Sequence, residues 1–394
     1  MRCALLCLLS LMCLLGPATA GTEDNTETYS GTSNYIRGAY QWGAVLQTND
    51  FLKGDNLSGT PIENFQSARL EFGWQTDGSS EWQHAYNFPS YGIGLYGADF
   101  YNDEELGQPT SLYGFFDWPF HRSSRWQLSF GLGFGLTTDW EAYDAVNNPK
   151  NMALGLGRSV HIEVGGYAEY KLARRWALIG GITGTHFSNG GTQRPNHGLN
   201  AMGPILFVKH HIEDPARLPT RVKPADFDRG WNLTLTGSVG KRNLDLVFDD
   251  PDLNQQYSNQ SFFIGNITAV VGRKFSYMGR YCFGLDVCYD ESVPTLVELE
   301  GYKNGQNVTA DSMDKFDLAA IAGYEHIAKK THVLVQLGYI FARKDVLDRL
   351  PRFYQRFGVK QFVWENWFAG LNVRFHELGS ADNLEWNAGY VVGL

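Results

Sequence analysis

Fourteen stretches of this chain alternate apolar with polar residues, and the connections between them alternate too, tight and then long. A strand turns successive side chains to opposite faces, so the pattern belongs to sheets with two unlike faces. The stretches fall near 37–48, 66–78, 90–101, 110–120, 125–138, 158–172, 176–188, 200–209, 229–240, 260–275, 280–290, 314–327, 332–343 and 362–376. Phe120–Ser124, Ala173–Arg175, Ser276–Gly279 and Ala328–Lys330 are tight connections, whereas 139–157, 241–259 and 291–313 are long, polar and rich in Asp and Asn. Short turns on one side and long loops on the other predict an all-β, antiparallel transmembrane β-barrel of about 14 strands. No run of eighteen apolar residues follows the first twenty positions, which excludes a helical membrane protein. The 44 glycines, 14% aromatic residues and mean hydropathy of −0.29 suit strands that are apolar on one face only. The formal charge of −9 argues against nucleic acid as a partner.

The first twenty residues read as a signal peptide. Met1-Arg2 precedes an apolar run from Ala4 to Leu15, and Ala18-x-Ala20 is a small-residue cleavage pattern, so the mature chain is expected to begin at Gly21. Cys3, Cys7 and Cys13 leave with that segment. Cys282 and Cys288 lie six apart on one strand, roughly 20 Å when extended, and cannot bridge.

Parity fixes which side chains meet lipid. Along 158–172 the even positions include Val160, Ile162, Val164 and Leu172, while the odd ones include Ser159, His161, Glu163 and Glu169. Even positions therefore face lipid, and His161 and Glu163 face the lumen. The three-residue turn at 173–175 keeps that parity, so Trp176, Leu178 and Ile182 face lipid, followed by His186 and Ser188. Trp176 suits the inner aromatic girdle. Ten residues at about 2.5 Å each place His186 roughly 25 Å above it, across the apolar band at the outer interface.

His186 and Ser188 share a face at a strand end, the minimum for an activated nucleophile. Asn189 and the Gly190-Gly191 pair follow and can offer an amide and free N–H groups to an oxyanion. The same residues also suit an ordinary strand end and turn. His186-x-Ser188-Asn189 with Pro195-Asn196-x-Gly198 resembles the active-site segment of the outer-membrane lipid A 3-O-deacylases, the PagL-like family. The resemblance implies an esterase in a barrel whose Ser/His pair faces the outer leaflet, removing an ester-linked acyl chain from lipid A of lipopolysaccharide without a cofactor. It implies a catalytic part at 35–210, which fits the family's minimal eight-stranded form. It also implies a glutamate twelve residues after the serine. Here that position is Asn200, whose side-chain carbonyl could take the glutamate's place in orienting His186.

The second half reads as a degenerate copy. Phe120-x4-Arg125-Trp126 recurs 155 residues on as Phe275-x4-Arg280-Tyr281, and the same shift puts Phe341 and Arg343 where His186 and Ser188 stand. After the signal peptide the expected organisation is thus a single barrel over 21–394. Its parts are the catalytic segment at 35–210, a linker at 210–228 and a barrel-completing segment at 229–394. His210-His211 with Glu213-Asp214 reads as solvated linker, not as a metal site. The acidic outer loops are candidates to hold divalent cations that bridge lipid phosphates. Leu384–Leu394 alternates like one more strand, and since the strand count must be even, a strand near 353–361 is unaccounted for or the tail does something else. Pro204 removes a ladder donor and predicts a bulge. Two rival functions share this architecture, a porin-like channel and a non-catalytic surface barrel that binds lipid or a partner.

Overall fold

The structure, a computed structural model, describes residues 32–215, 218–222, 227–244, 260–346, 349–376 and 380–394. The signal peptide, residues 216, 217 and 223–226 of the 210–228 linker and residues 245–259 of the 241–259 loop lie outside these residues. The described strands number sixteen, not fourteen, and they close into two barrels instead of one.

The first barrel holds β1 (Ser33–Leu46), β2 (Asn64–Gln75), β3 (Ser90–Asp99), β4 (Gly107–Arg122), β5 (Trp126–Trp140), β6 (Ser159–Lys171), β7 (Trp176–Ser188) and β8 (Leu199–His211). Each strand pairs antiparallel with the next, and β8 returns to β1, from Tyr35 opposite His211 to Leu46 opposite Asn200. His210 and His211 belong to β8, not to the linker. A short helix, α1 (Glu81–Ala85), sits in the connection from β2 to β3. The second barrel holds β9 (Trp231–Asn243), β10 (Ser261–Lys274), β11 (Gly279–Asp290), β12 (Phe316–Ala328), β13 (Thr331–Ala342), β14 (Phe353–Trp364), β15 (Trp367–His376) and β16 (Ser380–Gly393), and β16 closes on β9. Helix α2 (Val293–Lys303) lies between β11 and β12. Two compact units result, one of residues 32–188 and 199–222, the other of 189–198 and 227–394.

Closure into small barrels follows from what points inward. An eight-stranded lumen is just wide enough to be filled by side chains. In the first barrel Arg37 on β1 is paired with Glu71 on β2 and reaches Asp117 on β4 at 2.6 Å. Arg69 on β2 reaches Glu163 on β6 at 2.6 Å. In the second, Arg356 on β14 meets Asp286 on β11 and Glu385 on β16, each at 2.8 Å. All of these side chains are buried. Breaking such a pair would leave an uncompensated buried charge, at a cost of about 3–5 kcal/mol. Such pairs span a narrow lumen, and the water-filled bore of one large barrel would part them.

β14, expected near 353–361 only as one of two alternatives, is hard to read in the sequence for the same reason. Its inward positions Arg356 and Lys360 are charged and resemble loop residues, yet both are buried against carboxylates, Lys360 at 3.6 Å from Glu325. The stretch expected at 362–376 is the end of β14, a two-residue turn, and β15, while the alternating tail is β16.

Parity holds as expected in β6 and β7. Val164 and Ile182 are 54% and 62% exposed on the outer face, whereas His161 and Thr183 are fully buried. Pro204 makes no bulge. The β7 ladder runs through Ile182 opposite Pro204 without a shift. The β1 ladder skips Trp42–Gly43 opposite Gly203–Pro204 and resumes in the same register. There the backbones close up so far that a Cβ on Gly203 would lie 2.0 Å from the Trp42 carbonyl oxygen, so two glycines absorb what a bulge would otherwise relieve.

At the outer end of the first barrel the long loops fold into a cap. Phe51 and Leu52 from the first loop, Phe100 and Leu106 from the second and Leu154 from the third join Trp140, Phe187 and Leu199 in one buried cluster. This cluster holds the ends of β7 and β8.

Candidate active site

The end of β7 carries three residues with three environments. Phe187 points inward and is fully buried, its ring 5.1 Å from Trp140 and 5.2 Å from His161, centroid to centroid. His186 and Ser188 on either side of it must then point outward. Across the sheet, Ile162 on β6, His186 on β7 and Asn200 on β8 stand in one row. Asn200 in turn stands opposite Leu46 on β1.

Within that row His186 Nδ1 lies 2.7 Å from Asn200 Oδ1. A carbonyl oxygen only accepts, so Nδ1 carries the proton and Nε2 keeps its lone pair. The other end of the amide donates from Nδ2 to Thr48 Oγ1 at 3.5 Å, a long contact that favours the same orientation. Thr48 has no motif to announce it and the sequence reading missed it. Ser188 is nearly buried, at 9% exposure. No hydrogen bond joins its hydroxyl to the His186 ring among the described residues, and contacts of this kind commonly tighten only with substrate bound.

The segment after Ser188 belongs to the second compact unit. Asn189 is tied within it. Its N–H donates to Asn196 Oδ1 at 2.9 Å and its Nδ2 donates to the Gln193 carbonyl at 2.8 Å. Its backbone N–H and one of the two Nδ2 hydrogens are engaged in the loop, and the second Nδ2 hydrogen has no bond among the described residues. The buried Nδ2 of Asn196 has no hydrogen-bond partner among the described residues. Asn196 stood in the motif, but nothing in the local spacing marked it as the residue with a donor to spare. Gly190 and Gly191 take φ of +67° and +78°, a region open to glycine. Gly191 accepts from Asn243 Nδ2 through its carbonyl at 3.1 Å, and a Cβ on it would come within 3.0 Å of the Asp382 carbonyl oxygen.

A second Ser/His pair lies inside the first barrel. His161 Nδ1 is 2.9 Å from Ser111 Oγ, and its Nε2 is 3.9 Å from Glu163. On geometry alone this trio looks more complete than the outer one. It is sealed, with His161 fully buried, and Glu163 is taken up by Arg69 at 2.6 Å. The outer pair, with His186 only partly buried, is the more exposed of the two. The positions matched in the second barrel hold no nucleophile. Phe341 lies on the outer face of β13, and Arg343 donates to the Leu350 carbonyl at 2.8 Å and pairs with Asp345 at 3.0 Å.

Two family patterns match the chain. Residues 66–208 match the one described as Lipid A 3-O-deacylase (PagL), and residues 230–393 the one described as Acyloxyacyl hydrolase, C-terminal domain. No curated protein matches. Among solved structures, an outer membrane channel from Pseudomonas putida F1 is 11% identical over 95% of this chain and 100% of its own, with a TM-score of 0.20. The β domain of the Bordetella autotransporter BrkA is 9% identical over 92% and 99%, with a TM-score of 0.24. The toluene transporter TodX of Pseudomonas putida is 10% identical over 93% and 89%, with a TM-score of 0.19. Scores this low carry no argument about this chain.

Proposed function

Since the chain belongs to the lipid A 3-O-deacylase (PagL) family, a family of acyl hydrolases that fits an outer-membrane barrel, we propose that it hydrolyses an acyl ester of lipid A through Ser188 and His186. The observation that carries this reading is the 2.7 Å contact of His186 Nδ1 with Asn200 Oδ1 on the outer face, two residues from Ser188. It leaves Nε2 as the free base on the side where an outer-leaflet ester would arrive.

Ser188 Oγ attacks the ester carbonyl carbon while His186 Nε2 takes the hydroxyl proton. The tetrahedral oxyanion is held by Asn189 and the Gly191 N–H, by analogy with the family. Imidazolium then gives its proton to the leaving sugar oxygen, the C–O bond breaks, and an acyl-serine remains. Water, deprotonated by the same histidine, releases the fatty acid and restores Ser188. Asn200 holds the tautomer throughout, but it lacks the charge that a carboxylate would set against imidazolium, so the enzyme is expected to be slower than one with glutamate there. No cofactor enters this scheme.

The test is the mass spectrum of lipid A from cells with and without the protein. Expression should remove the mass of one hydroxyacyl chain, and the Ser188→Ala protein, still folded, should remove none. An unchanged spectrum with wild-type protein in the membrane would refute the reading.

A further inference from the structure

We infer that Arg158 binds a phosphate on the same sugar that carries the scissile ester, which makes it a positioning residue for the reaction; this rests on the esterase reading above. Arginines in the first compact unit are almost all occupied. Arg37 and Arg69 are held by lumen carboxylates, Arg122 by the carbonyls of Asn87 and Phe88, and Arg125 by the Tyr170 hydroxyl. Arg174 and Arg175 share Asp214, and Arg221 binds the carbonyls of His84 and Ala85. Among the described residues of that unit, Arg158 is the one arginine with neither an ion pair nor a hydrogen bond.

Its place is as telling as its freedom. Arg158 is exposed and directly precedes buried Ser159, the first residue of β6, so the strand's alternation carried one residue past its start brings it into line with the outward Val160 and Ile162. Val160 is the cross-strand partner of Ser188, and Ile162 that of His186. Arg158 therefore stands one step beyond the Ser188 row on the neighbouring strand, with the two Cα atoms on the order of 8 Å apart. An ester seated at Ser188 would leave another substituent of its sugar ring within reach of that side chain. A guanidinium meets a phosphate in two parallel, charge-assisted hydrogen bonds, which fix orientation as well as attraction. In a chain whose formal charge is −9, a lone unpaired cation beside the nucleophile points to an anionic substrate group.

The experiment compares purified wild-type protein with Arg158→Gln and Arg158→Lys, using phosphorylated lipid A and the same lipid A after chemical removal of its phosphates, in mixed micelles. Wild type should favour the phosphorylated lipid about tenfold in kcat/KM, mostly through KM, and the preference should shrink as salt rises. In Arg158→Gln the ratio between the two lipids should fall to about one, and Arg158→Lys should recover part of it. A wild-type ratio retained by Arg158→Gln would overturn the assignment while leaving the esterase in place. Hydrolysis of neither lipid by the wild type would overturn the esterase reading and the phosphate site with it.

Discussion

Phe187 and Trp140 meet inside the first barrel with ring centroids 5.1 Å apart at an angle of 66°. That contact fixes the strand end on which His186 and Ser188 face the opposite way. The apolar cap and the reactive pair are two sides of one short stretch of backbone.

Replacing Phe187 by Ala should therefore cost stability and rate together. A fully buried phenylalanine contributes about 3–5 kcal/mol. Denaturant unfolding of the detergent-solubilised protein would measure the loss, and kcat on a lipid A substrate should fall at least tenfold at temperatures where the variant stays folded. Wild-type kcat in a folded Phe187→Ala protein would show that the cap does not position the site.

The sealed pair gives the opposite expectation. Ser111→Ala removes the hydroxyl 2.9 Å from His161 Nδ1 and leaves a buried ring nitrogen without its partner. That should lower stability by about 1–3 kcal/mol and leave deacylation close to wild type. Loss of activity at full folding would mean that the lumen pair takes part in the reaction.

Asn200 separates the roles of tautomer and charge. Asn200→Leu should lower kcat about 100-fold with little effect on folding, since the side chain lies on the barrel's outer face, only half buried. Asn200→Glu should retain or raise kcat. A carboxylate beside His186 would favour imidazolium, and the histidine must be neutral to act as base, so the acid limb of the pH–rate profile should move to higher pH. Wild-type kcat in Asn200→Leu, or an unmoved limb in Asn200→Glu, would place the orienting group elsewhere.

Much of the site was legible because its rules are local. The side-chain period of two and the tight turn at 173–175 carry parity from β6 to β7, and the same parity places Asn200 beside His186. Asn196 was not legible in the same way. How its amide is turned depends on a contact in which its Oδ1 accepts from the Asn189 N–H seven residues back, across a loop of no regular period.

The chain's own order of residues determined that it makes antiparallel strands with two unlike faces, and that His186, Ser188 and Asn200 share the outer one. Only the tertiary structure decided that β8 turns back to β1 and that β9 to β16 close apart. Backbone hydrogen bonds are alike in every strand, so they name no partner. The choice falls to inward side chains far apart in the chain, such as Arg37 with Asp117 eighty residues on and Arg356 with Asp286 seventy residues back. These charges are tolerable only when a narrow lumen brings them together, and no local pattern of alternation can announce that meeting.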